Sequence, residues 1–197
     1  MSLASETYNL IILASGGGTN AENIIKYFKA NSNINVARVW TNNPAAGVID
    51  RCKNLDVPCG ILSPNTCKDG DRLLDLLQKD QPSLIILAGY LKLIPKTVVE
   101  HYKNRIINIH PALLPAYGGK GMYGENVHQA VIENGESESG ITIHYVNERY
   151  DEGELIIQES VAIEQGETTT SLAKKIHELE MKWFPIAIER VLEALRD

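Results

Sequence analysis

The stretch Tyr8–Asn20, YNLIILASGGGTN, decides the fold class. Tyr8–Ala14 is a continuous apolar run of strand length, the pattern of a strand buried on both faces of a parallel sheet. It runs into a glycine-rich turn, Ser15–Asn20, and then into an amphipathic helix with Ile24, Ile25 and Phe28 on its inner side. Such a turn places free backbone N–H groups at a helix N-terminus, which suits a phosphate. Gly16, Gly18 and Ala21 also match the loose dinucleotide pattern G-x-G-x-x-A. That pattern wants an acid at the end of the second strand to hold a ribose hydroxyl. The second strand, read over Asn35–Thr41, ends in Thr41–Asn42–Asn43–Pro44, so NAD is disfavoured. No GK[ST] follows the glycines, which removes the nucleotide P-loop, and a merely tight turn is the remaining alternative.

Outward from there, strands and helices alternate. Ala45–Leu55 reads as a short helix, Val57–Leu62 as a weak edge strand, and Ser63–Gly70 as loop, with Lys68 able to reach toward the first turn. Asp71–Lys79 carries leucines at 73, 74, 76 and 77 and reads as a helix. Ser83–Ala88 is another buried strand, and Gly89–Ile94, GYLKLI, follows its carboxyl end. There Leu91, Leu93 and Ile94 sit where open α/β sheets bind ligands; walling a flat ring and plain core packing both fit. Arg105–Pro115, RIINIHPALLP, supplies a fifth strand, and Tyr117–Glu125 puts four glycines in nine residues, read as a mobile lid. A helix over Asn126–Asn134 carries His128; Gly140–Asn147 and Leu155–Ile163 read as an antiparallel pair around the carboxylate-rich loop Glu148–Gly153. The last helix opens at the capping run Glu167–Ser171, shows a buried stripe at Leu172, Ile176, Leu179 and Trp183, and is expected to kink or break at Pro185. The implied fold is an α/β, Rossmann-like, doubly wound and mostly parallel seven-stranded sheet with a late antiparallel hairpin. The first, fourth and fifth strands should be central, with their carboxyl ends facing one crevice.

The totals narrow the function classes. A chain of 197 residues suits one sizeable domain over 1–197, with residues 1–7 read as a flexible arm or cloning remnant. No apolar run reaches the length of a membrane span, and the polar amino terminus does not read as a signal peptide. Cys52, Cys59 and Cys67 are odd in number and lack CxxC spacing, which fits a reduced, cytoplasmic setting and neither a disulfide framework nor a zinc site. A net charge of −6, without a basic cluster, argues against nucleic acid.

Asn108 and His110 interrupt the apolar fifth strand. Two residues apart on a strand, they point to the same face, and Pro111 ends the ladder just beyond them. An amide and an imidazole side by side at a strand end form a two-donor site for a developing negative charge. A buried polar pair satisfied by neighbouring backbone is the alternative on local grounds.

SGGGTN, LAGYLKLI, NIHPALLP, GITIHYVNERYDEG and IHELEMKWFP together resemble the phosphoribosylglycinamide formyltransferase family, from about Asn9 to Val191. The resemblance implies transfer of a formyl group from 10-formyltetrahydrofolate, as co-substrate and without a metal, to the amine of 5'-phosphoribosylglycinamide in purine biosynthesis. It implies Asn108, His110 and Asp151 as catalytic residues, with Asp151 keeping His110 protonated. Gly17, Gly18, Thr19 and Asn20 would hold the substrate phosphate, Glu180 would meet the amine and His177 would lie beside it. Leu91, Lys92, Leu93 and Ile94, with Asn108, Asn147, Glu148, Arg149, Tyr150 and Asp151, would line the folate. Partners would be small molecules, with the protein a monomer or homodimer.

The chain departs from the family in a longer lid loop, Gly118–Asn126, and in Glu152 after Asp151, where a glycine is common. It also has Cys67 where many members carry a phosphate-binding arginine, with Lys68 as the substitute. A formyltransferase for another amine acceptor is the nearest competing reading, and an NAD(P)-binding dehydrogenase the more distant one. Relatives acting on methionyl-tRNA, on sugar nucleotides or as hydrolases carry extensions that this length is not expected to hold. A zinc hydrolase built on His110, His128, His144 and Asp151 lacks any HxH or HxxxH pair.

Overall fold

The computed structural model describes residues 7–196; the amino-terminal arm expected over 1–7 lies, except for Thr7, outside them. Seven strands form one sheet: β1 (Tyr8–Ala14), β2 (Ile34–Thr41), β3 (Cys59–Ile61), β4 (Leu84–Leu87), β5 (Ile106–His110), β6 (Glu138–Tyr145) and β7 (Leu155–Ala162). Their order is β3-β2-β1-β4-β5-β6-β7. Pairing is parallel from β3 through to β5, and antiparallel for β5–β6 and β6–β7. Both the doubly wound sheet and the late hairpin are as the sequence predicts.

Helices α1 (Thr19–Phe28), α2 (Val48–Asn54), α6 (Glu125–Glu133) and α7 (Thr169–Ala194) cover one face, around a core containing Ile24, Phe28, Ile107, Ile141 and Phe184. Helices α3 (Pro64–Lys68), α4 (Gly70–Gln78) and α5 (Lys96–His101) cover the other, around Ile11, Leu13, Leu73, Leu77 and Val98. Leu10–Ala14 are all inaccessible to solvent, so β1 is buried on both faces. Because β1 lies between β2 and β4, the chain leaves it in opposite directions, which opens a crevice at the carboxyl ends of β1 and β4. Ser15 closes the base of that crevice: its N–H donates to the Gly89 carbonyl (3.0 Å), its hydroxyl to Asn42 Oδ1 (2.6 Å), and the Leu91 N–H donates to Ser15 Oγ (2.9 Å).

Three local expectations change. Ser63–Gly70 contains α3, with Pro64 in its first turn and the Ser63 hydroxyl accepting from the Thr66 N–H (3.1 Å). Helix α5 is too short to show a periodicity in sequence. Helix α7 runs unbroken through Pro185. Proline lacks the N–H that would bond the Met181 carbonyl, and Asn23 Nδ2 on α1 bonds that carbonyl instead (2.8 Å). A tertiary contact replaces the lost bond, so the helix need not break.

Candidate functional site

The crevice encloses about 660 Å³ and is lined from several segments distant in sequence. These are the glycine turn after β1, the Leu87–Ile94 segment after β4, the end of β5, and the loops Gly119–Gly124 and Arg149–Asp151. The inner face of α7 adds Ala173, Ile176, His177 and Glu180.

At its centre is a polar layer that follows from strand register. On β5, Asn108 stands opposite His144 of β6, and His110 opposite Thr142. Ile107, Ile109, Ile141 and Ile143 alternate with them and pack into the opposite core. The polar side chains therefore share one face, as the sequence predicts for Asn108 and His110. Asp151 reaches this layer from the loop between β6 and β7. Its Oδ2 accepts from the Gly119 N–H (2.9 Å) and lies 3.6 Å from His110 Nδ1; its Oδ1 accepts from Asn108 Nδ2 (3.4 Å) and lies 3.6 Å from His144 Nε2. Asp151 sits at φ +57°, in the left-handed region that turns its side chain back over β5. Glu152 does not disturb this geometry. The steric demand for glycine falls on position 153, where a Cβ would lie 1.6 Å from the Tyr145 carbonyl oxygen.

Hydrogen bonds settle the tautomers. His144 Nδ1 lies 2.9 Å from the Tyr145 carbonyl and must donate to it, so in the neutral ring Nε2 accepts from Asn108 Nδ2 (3.2 Å). His110 Nε2 likewise donates to the Tyr117 carbonyl (2.7 Å). Burial is the largest influence on His110 and pushes its pKa below the ordinary 6.5, against the Asp151 carboxylate and the Tyr117 carbonyl, which favour the charged ring. The expected partner is therefore in place, but desolvation of the ring outweighs the Asp151 charge and the balance runs against the protonated form. Burial also acts to raise the Asp151 pKa, but His144, His110 and the Gly119 amide together hold it below the usual carboxylate range. Nor are the two expected donors free: Asn108 Nδ2 donates to His144 and Asp151, and His110 Nε2 to the Tyr117 carbonyl.

Beside this layer, the amides of Gly17, Gly18, Thr19 and Asn20 donate to no group among the described residues. They cluster at the N-terminus of α1, where Gly18 takes φ +77°. Asn20 Nδ2 donates to Glu180 Oε2 (3.0 Å), while Asn20 Oδ1 is buried without a partner. His177 Nδ1 lies 3.3 Å from the same Glu180 oxygen, and this contact raises the His177 pKa.

The residues expected from the sequence are distributed unevenly. Gly17, Gly18, Thr19, Asn20, Leu91, Lys92, Leu93, Ile94, Asn108, His110, Arg149, Tyr150, Asp151, His177 and Glu180 all line the crevice. Leu91 and Leu93 are exposed as its apolar wall, whereas Ile94 is buried. Asn147 and Glu148 stand outside it. Asn147 ties its own loop, donating to the Glu152 carbonyl (3.0 Å) and accepting from the Arg149 N–H (2.8 Å), and Glu148 pairs with Lys96 (3.2 Å). Lys68 likewise does not line the crevice. It lines a second pocket of about 700 Å³ with Lys92, Leu93, Lys96 and Glu148, adjoining the apolar wall.

Three further residues join the site: His144 and His128, weighed from the sequence only as metal ligands, and Tyr117, to which the sequence assigned no role. His144 was legible as the second polar residue of an alternating β6, while Tyr117, whose carbonyl holds His110, carried no side-chain signal. His128, on α6, lines the crevice with its Nδ1 buried and unpartnered. The glycine-rich loop expected to be a mobile lid is tied onto the polar layer at Tyr117 and Gly119. Among the described residues no group of His, Cys, Asp or Glu is arranged to hold a metal, and no helix is long and apolar enough to cross a membrane.

Residues 8–188 match the family model described as Formyl transferase. The chain belongs to the formyl transferase family. It is 34% identical over 186 residues to phosphoribosylglycinamide formyltransferase of Bacillus subtilis, covering 92% of this chain and 93% of that protein. It is 38% identical over 190 residues to the chloroplastic phosphoribosylglycinamide formyltransferase of Arabidopsis thaliana, covering 93% of this chain but only 65% of the plant protein's length. Among solved formyltransferase structures, glycinamide ribonucleotide transformylase 1 from Geobacillus kaustophilus superposes with a TM-score of 0.85 at 34% identity, covering 95% of this chain and all of that one.

Proposed function

We propose that this chain transfers the formyl group of 10-formyltetrahydrofolate to the primary amine of 5'-phosphoribosylglycinamide. The observation that carries this reading is the convergence, in one crevice, of the Asn108–His110–His144–Asp151 layer with a ring of free amides at the glycine turn. The names of the relatives point the same way. In this reading the amides of Gly17–Asn20 hold the phosphate, and Glu180 with Asn20 meets the amine. Leu91, Lys92, Leu93 and Ile94, with Arg149 and Tyr150, receive the folate ring system. The lysine-rich second pocket adjoins that wall, so Lys68 suits the carboxylates at the folate's glutamate end better than the phosphate.

The neutral amine nitrogen attacks the formyl carbon, a C–N bond forms, and the formyl oxygen becomes an oxyanion. That oxygen competes for Asn108 Nδ2 against its longest existing contact, 3.4 Å to Asp151. Collapse breaks the bond from carbon to N10, and the proton released by the amine reaches N10. His110 and Asp151 are the groups placed to carry it, because negative charge on the oxyanion raises the proton affinity of His110. We place this reaction in the cytoplasm, in a single domain that acts on small molecules, not on nucleic acid, as a monomer or homodimer. A dinucleotide reading has less support: Asn42, at the end of β2, accepts from Ser15 Oγ where an acid would be needed for a ribose. The test is consumption of 10-formyltetrahydrofolate with and without the ribonucleotide. Loss of the formyl group only with the acceptor present supports the reading, and equal loss without it shows a hydrolase instead.

A further inference from the structure

The glycine turn is shaped from behind, on the side away from the crevice. The Gly16 carbonyl accepts from the Val48 N–H (3.2 Å), and the Gly18 carbonyl accepts from the Glu22 N–H (2.9 Å). Between them, the Gly17 carbonyl accepts from Arg51 Nε (2.7 Å). In a trans peptide the N–H points opposite to the carbonyl of the residue before it. The three ties thus turn the amides of Gly17, Gly18 and Thr19 toward the crevice. Two of them are backbone bonds, one from the first turn of α1 and one from the first residue of α2. The middle tie alone depends on a side chain, and it acts at the weakest point. The Gly17–Gly18 peptide lies between two residues without a Cβ, so its plane can rotate with little steric resistance. Arg51 is itself held, because its Nη1 pairs with the Glu22 carboxylate, which also binds Lys26. The guanidinium thus spans α2, the turn and α1 as a fixed fork.

We propose that Arg51 is a positioning residue for an anionic, phosphate-bearing substrate. It does not line the crevice. It orients the Gly17–Gly18 peptide so that the Gly18 N–H is presented to a phosphate oxygen. The proposal rests on reading the turn as the phosphate site. A role limited to attracting the anion by charge would be served equally by lysine, whereas the fork that reaches both Gly17 and Glu22 would not.

The full-length variants Arg51→Met and Arg51→Lys distinguish these roles, with the ribonucleotide and the folate varied separately. Arg51→Met is expected to raise the KM for the ribonucleotide, and the inhibition constant of inorganic phosphate, about tenfold, as for one lost oriented hydrogen bond. The folate KM and kcat should stay within about twofold of the parent. Arg51→Lys should recover less than about half of the loss on a logarithmic scale. Full recovery by lysine, or a ribonucleotide KM unchanged in the methionine variant, overturns the proposal. Glu22→Gln, which leaves Arg51 in place but loosens its fork, is expected to shift the same constants in the same direction by about threefold; no shift counts against positioning even if Arg51→Met folds poorly. The phosphate reading is tested apart from Arg51 in the parent protein. If inorganic phosphate neither competes with the ribonucleotide nor raises the melting temperature, that reading fails whatever the variants do.

Discussion

Asp151→Asn exchanges one carboxylate oxygen for an amide nitrogen while leaving the side chain's shape nearly unchanged. The carboxylate is 3.6 Å from His110 Nδ1, and at an effective dielectric of about 20 a full charge pair at that separation is worth about 5 kcal/mol. That interaction is absent while His110 is neutral and grows as the ring takes up a proton, so it favours the transition state over the resting enzyme. The amide dipole retains part of it. We therefore expect a loss of about 3–4 kcal/mol, a fall of about 10²–10³ in kcat, with both KM values moving much less. The structural effect is separable. The native carboxylate accepts from both the Gly119 amide and Asn108 Nδ2, and the variant's single oxygen can satisfy only one of them. The other N–H then faces an N–H, at about 1–3 kcal/mol of folding stability, readable from urea unfolding. Rates measured well below the melting temperature, with both substrates saturating, isolate the chemical effect. A folded variant that turns over within about threefold of the parent would remove Asp151 from the chemistry and leave it only the role of holding Gly119.

Two further outcomes follow from the same geometry. Burial holds His110 and His128 below the ordinary 6.5, so each takes up a proton on unfolding once the pH drops under that value. Their contribution to stability is complete above about pH 6.5 and is lost as pH falls toward their folded values, while His177, raised by Glu180, contributes below 6.5 and loses that as pH rises through its folded value. The melting temperature should therefore decline between about pH 7 and 5.5, and His128→Gln should flatten the decline; an unchanged slope in the variant would discard His128 as a source. Lys68→Ala should raise the KM for the folate several-fold and leave that for the ribonucleotide alone, and the reverse pattern would return Lys68 to the phosphate.

The fold was legible because its signals are local. An apolar run such as Leu10–Ala14 has few alternatives to a strand buried on both faces, and the glycine turn after it marks where a helix begins. Asn108 and His110 were legible for a similar reason, since the period of a strand places them on one face without any tertiary knowledge. What stayed hidden depends on contacts between distant segments. Pro185 reads as a break until Asn23, 158 residues away from Met181, is seen to bond the carbonyl that proline strands. Lys68 reads as a substitute for a phosphate ligand until α3 carries it into a second pocket, with Lys92, Leu93 and Lys96. The direction of the His110 pKa is the most instructive case. Sequence supplies the partner, Asp151, but not the degree of burial, and burial sets the sign.

The change from parallel to antiparallel pairing at β5 explains why the polar layer exists at all. A parallel neighbour would bring only its carboxyl end to the rim of the crevice. Because β6 runs the other way, its interior lies alongside the last residues of β5, and His144 and Thr142 fall opposite Asn108 and His110. β7 pairs antiparallel with β6 from Leu155, opposite His144, so the loop that joins them begins and ends beside the polar layer. Asp151 lies on that loop. Its reach is set by Gly153, which passes within contact of the Tyr145 carbonyl, and by the bond from the Tyr145 N–H to the Glu154 carbonyl (2.8 Å). One topological step thus supplies both halves of the proposed proton path, histidine from the strands and carboxylate from the loop between them. The glycine turn, at the other end of the crevice, comes from the parallel half of the sheet and its helix N-terminus. The substrate would bridge the two halves, with its anion held by the parallel βα unit and its amine delivered to the antiparallel one.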